Sequence, residues 1–76
     1  MQHVSKDMTL RQIFDVEPFL ETTLFRMRGI DPASGLHSYD STLEEIMLKE
    51  KYIDIDIDNT VDSMNMIIDL KAEDEG

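Results

Sequence analysis

Apolar positions along the chain recur mostly at helical spacing. Leu10, Ile13 and Phe14 share one face. Thr9 and Gln12 stand at the two ends of a capping box, and Met8 and Ile13 at the positions of a hydrophobic staple. A short first helix from about Leu10 to Val16 is predicted. Leu20, Leu24 and Met27 repeat the i, i+4, i+7 pattern, with Phe19 and Phe25 widening the stripe. Pro18 suits the first turn of that helix, and Glu17 and Glu21 favour its positive end. Arg26 and Arg28 sit where the dipole favours cations, and Gly29 where a left-handed cap is needed. The second helix is therefore predicted from Pro18 to Arg28, with Met27, like Met47 and Met64, filling the core.

Gly29 to Ser41 reads as a loop, with turn signals at Asp31-Pro32 and Ser34-Gly35. It is long for so small a chain, and long loops are often functional. Ile30, Leu36 and Tyr39 are expected to pin it to the core. Thr42 and Glu45 form a second capping box. Leu43, Ile46 and Met47 then give the inner face of a third helix ending near Lys51, with Glu45 and Lys49 as a favourable i, i+4 pair. The run Ile53-Asp54-Ile55-Asp56-Ile57-Asp58 alternates strictly, which is a strand signal. No second strong strand exists to pair with it, and one strand alone is unstable. The expectation is a brief extended connection, Asp56 as N-cap, and a fourth helix from about Ile57 to Leu70. On that helix Ile57, Val61, Met64, Ile67 and Ile68 keep helical spacing. Met66 falls off the inner face and is open to an exposed patch with Ile67 or Ile68.

Composition sharpens the picture. The 76 residues hold 17 Asp+Glu, 7 Lys+Arg and no Cys, for a net charge of −10. One small domain is the most that fits. Residues 1–6 and 71–76 lack a sustained apolar pattern and are expected to be loose. Disulfides and Cys-ligated metal sites are impossible. A basic nucleic-acid face is absent, and no apolar run approaches the roughly 20 residues of a membrane span. The polar opening predicts no leader peptide and, by default, the cytoplasm. The charge is uneven: residues 1–38 carry four bases and five acids, residues 39–76 three bases and twelve acids. Such acid is ordinarily a solvated surface. Its functional reading is a docking face for a basic partner.

Candidate chemistry is thin. Asp54, Asp56 and Asp58 open like a calcium loop, but Asn59 stands where that loop needs glycine and Asn65 where it needs glutamate. His3 and His37 lie in polar segments without ligand-like neighbours and are expected to be exposed. Ser34-Gly35 lacks the second glycine of a nucleophile elbow, and the glycines at 29, 35 and 76 build no phosphate loop. No catalytic residue, metal ligand or cofactor is assigned.

One pattern spans about residues 4 to 70: Asp7-Met8-Thr9-Leu10 with Ile13-Phe14, Pro18, Leu24-Phe25, Gly29-Ile30, Thr42-Leu43-Glu44-Glu45, Asp56-Ile57 and Met64-Asn65. It resembles a family of small helical domains of unknown function, similar to the N-terminal domain of the iron–sulfur cluster repair di-iron proteins. The resemblance implies a compact bundle of short helices. Many relatives carry cysteines just after the glycine that ends the second helix, implying redox or cluster chemistry. Here that stretch is Asp31-Pro32-Ala33-Ser34-Gly35-Leu36, so the thiol role transfers to no residue. The expectation is an all-α single domain, a compact bundle of four to five short helices. Its function is expected to be non-catalytic protein interaction, with an unidentified protein partner or by self-association. A redox or metal-linked accessory role is the alternative that the resemblance alone supplies. Ile30, Leu36, His37 and Tyr39 are the candidate contact residues.

Overall fold

The computed structural model describes residues 2–75. Met1 and Gly76, the outer ends of the two segments expected to be loose, lie outside the described residues. Four helices follow one another: α1 (Leu10–Val16), α2 (Leu20–Arg28), α3 (Leu43–Lys49) and α4 (Asp54–Glu75). The fold is all-α, and among the described residues no helix is long and apolar enough to cross a membrane. The Cα radius of gyration is 11.8 Å, against about 11 Å for a globular chain of this length.

α1 and α3 begin together. Thr9 and Thr42 pair as an isolated antiparallel bridge, so the two capping boxes lie side by side. In α1, Gln12 Oε1 accepts from Thr9 N–H and Thr9 Oγ1 accepts from Gln12 N–H. The two N–H groups between them, of Leu10 and Arg11, donate to Ser41 and Tyr39 carbonyls. α3 mirrors this. Glu45 and Thr42 close the box, and the N–H groups of Leu43 and Glu44 donate to Met8 and Lys6 carbonyls. A helix start normally leaves these donors without partners. Here the segment leading into each helix supplies acceptors for the start of the other.

α2 starts at Leu20, two residues later than expected. Pro18 and Phe19 form a preceding turn, in which Glu17 Oε2 accepts from Phe19 N–H at 3.0 Å. Gly29 ends the helix at φ +68°, the left-handed conformation anticipated for it. α3 ends in the same way, but on Lys51 at φ +72°. Lys51 N–H donates to Leu48 O and Tyr52 N–H to Met47 O, the paired bonds of a Schellman ending.

The alternating segment is helix, not an extended connection. α4 starts at Asp54, so Asp56 lies in its first turn, and its carboxylate reaches back to Ile53 N–H at 3.4 Å. Asp54 and Asp56 both favour the positive end of the helix dipole. The far end runs to Glu75 rather than Leu70. At about 1.5 Å per residue, its 22 residues nearly span the 37 Å long axis of the molecule.

All four helices line one core. Leu10 and Ile13, Leu20 and Leu24, Leu43 and Met47, and Ile57 and Met64 are all essentially sealed from solvent. The leading segment is tied to this core. Val4 is buried, and the Asn65 side chain both accepts from its N–H and donates to its carbonyl, at 2.8 and 3.1 Å. Tail residue Lys71 pairs with Glu17 and lies over the Phe19 ring. Arg28 joins α2 to α4. It donates to Thr60 Oγ1 at 2.9 Å and stacks over Tyr52 at 5.0 Å. Met27 is 36% exposed and so is not the buried filler expected of it, since Arg28 spans that end of the seam instead. Phe19 and Phe25 also face outward.

Candidate functional site

The loop between α2 and α3 holds the four candidate residues, and the fold uses them unequally. Ile30 follows the glycine cap and drops into the core with no exposed surface. Pro32 is buried behind it. The Asp31 carboxylate accepts from Ser34 N–H, and Gly35 turns the chain at φ +88°. The tip, residues 33–36, is exposed, with Leu36 at 73%.

His37 is half-buried rather than exposed. Its Nδ1 accepts from Asp31 N–H at 3.0 Å, and its Nε2 meets the Glu50 carboxylate at the end of α3. An Nδ1 that accepts carries no proton, so the ring hydrogen sits on Nε2 and donates to Glu50. Both nitrogens are thus engaged in holding the loop. A cleft of about 360 Å³ opens beside the ring, lined by Leu36, Ser38, Ile46 and Lys49 among others. His37 offers it no free nitrogen for general-base chemistry.

Tyr39 is also structural. Its hydroxyl donates to Glu21 Oε2 at 2.9 Å, and its ring meets Phe14 edge-on with centroids 6.2 Å apart. Arg11 lies over the same ring, 5.5 Å from its centroid, and pairs with Asp40. The hydrogen bond to Glu21 raises the Tyr39 pKa, and burial adds to that. The structure thus places three of the four candidates in anchoring roles and leaves Leu36 alone at the tip.

His3 is exposed and pairs with Asp69 at 2.8 Å. Among the described residues no three His, Asp or Glu side chains converge closely enough to hold a metal ion. The redox or cluster chemistry implied by the resemblance does not fit the donors present. The stretch from Asp31 to Leu36 has no thiol, and the imidazole beside it is committed on both sides.

Further exposed apolar side chains lie on and beside α4. On α4, Ile55, Met66 and Leu70 are 60%, 63% and 54% exposed, and Ile53 just before it is 63% exposed. Ile68 is buried and Ile67 partly so, which leaves Met66 outward without either as a partner. The signal for Ile55 was present in the sequence. Ile55 and Ile57 are two apart, and on a helix that spacing puts them on nearly opposite faces.

No family model, curated protein or solved structure matches this chain.

Proposed function

We propose that this chain is a non-catalytic protein-interaction module of the cytoplasm. One observation carries the reading. Large apolar side chains stand in solvent on the outer side of α4, in addition to those exposed singly at Phe19, Phe25, Leu36 and Leu48. Scattered exposed apolar residues are ordinary, but a contiguous run of them marks a contact surface. Met66 and Leu70, one turn apart on α4, are such neighbours, and Ile55 shares their side of the helix three turns earlier. The resemblance to the N-terminal domain of cluster repair proteins then reads as a shared helical scaffold without the thiol chemistry.

The test is differential capture. Tagged wild-type chain and a Met66→Ser/Leu70→Ser variant are exposed to the same lysate, and bound proteins are quantified. Both chains should melt at the same temperature, because the altered side chains are exposed. A protein retained by the wild type and lost from the variant supports the reading. Identical retention by the two, or none by either, contradicts it.

A further inference from the structure

The partner's chemistry can be taken further, on the basis of the interaction reading above. At 100° per residue, Ile55, Met66 and Leu70 fall within about 60° of one another on the side of α4 away from the core. Asp58 and Asp62 lie just beside that sector and Glu73 within it, at the angle of Ile55, all exposed. None of these three acids has an ion-pair partner among the described residues. Acid therefore stands among these apolar side chains and along the side of α4 that borders the leading segment. The other side carries exposed Asp74 and then meets the seam where Lys71 lies over Phe19 and Arg28 donates to Thr60 Oγ1. The helix as a whole has eight acids and one base.

We infer that this face of α4 docks an amphipathic segment of a protein partner, apolar along its centre and lined with Lys or Arg along one edge. Apolar contact supplies the attraction, and the basic edge fixes register and speeds encounter. The same charge argues against the other occupants. Two copies meeting through this face would bring their acid bands together, in a chain already at −10. An anionic lipid surface or a nucleic acid would be repelled.

The probe is a synthetic amphipathic helix of about five turns, with leucines on one face, lysines along one edge and a single tryptophan. The chain has no Trp, so that fluorescence reports the peptide alone. A control peptide carries Glu in place of Lys. The Lys peptide should bind the wild type, and added salt should weaken it. Binding should fall about tenfold or more for Met66→Ser/Leu70→Ser and again for Asp62→Lys, with circular dichroism unchanged. The Glu peptide should not bind. Equal affinity for the two peptides, or for wild type and variants, overturns the proposal. So does a wild-type dimer in sedimentation that the double substitution dissociates, because a second copy is then the occupant. If lysate capture depends on Met66 and Leu70 but the Lys peptide does not bind, the interaction reading stands and the basic partner is wrong.

Discussion

Thr9→Ala and Thr42→Ala test whether the two helix starts work as one unit. Each threonine closes one capping box, with bonds of 3.2 Å to Gln12 N–H and 3.1 Å to Glu45 N–H. Loss of a cap of this kind costs about 1 kcal/mol. A 76-residue domain has about 4–11 kcal/mol of total stability, so either change is a sizeable fraction of it. Each single variant should melt about 4–8 °C lower. The informative quantity is the double variant. The second and third N–H groups of each helix start donate to carbonyls in the other's lead-in. A frayed start on α1 therefore already loosens the start of α3. The second substitution should cost less than the first, with a coupling of about 0.5 kcal/mol or more. Urea and thermal unfolding followed by circular dichroism give all four corners of the cycle. Strict additivity, or a single variant with unchanged stability, would refute the interlocked arrangement.

Three further outcomes are expected. Ile30→Ala should cost about 2–5 kcal/mol because the side chain is sealed in the core, whereas Leu36→Ala should barely move the melting temperature; similar losses for both would contradict the loop's division into anchor and tip. Glu45 is held below its ordinary value near 4.5, chiefly by the Thr42 backbone N–H it accepts from. Its contribution is complete above that value and drains away as pH falls through the lowered folded pKa. Acid unfolding of wild type and Glu45→Gln should thus show a stability difference that is constant at neutral pH and shifts against the wild type below pH 4.5; a pH-independent difference would remove the assignment. Lys51→Gly should stabilise by about 0.5–1 kcal/mol, since glycine relieves the left-handed strain but costs unfolded-state entropy; a loss of stability in urea melts would contradict the Schellman ending.

Local chemistry was legible in the sequence, and long-range geometry was not. The capping boxes at Thr9 and Thr42 and the glycine cap at Gly29 were readable because each joins residues a few positions apart. The bonds that organise the loop reach across the chain, from His37 to Glu50 and from Tyr39 to Glu21. No pattern within the loop announces them, so Ile30, Leu36 and Tyr39 read both as pins to the core and as contacts; Ile30 and Tyr39 are pins, and Leu36, 73% exposed, is not. The Ile-Asp alternation misled for a different reason. A period of two is ambiguous where a helix starts with several acids, because each Asp can serve the helix dipole while the isoleucines point in different directions. Ile57 reached the core, and Ile53 and Ile55 did not. Burial of Ile57, Met64 and Ile68 sets the rotation of α4, and Met66 faces outward as its place off the inner face implied.

The most direct test of the account is a methyl-13C spectrum of the methionines, recorded as the lysine-edged peptide is added. Met66 is 63% exposed on the proposed face, while Met47 and Met64 are sealed in the core. The Met66 methyl signal should move progressively and saturate, while the Met47 and Met64 signals stay in place. Movement of Met47 and Met64 without Met66, or no movement at all, would contradict it.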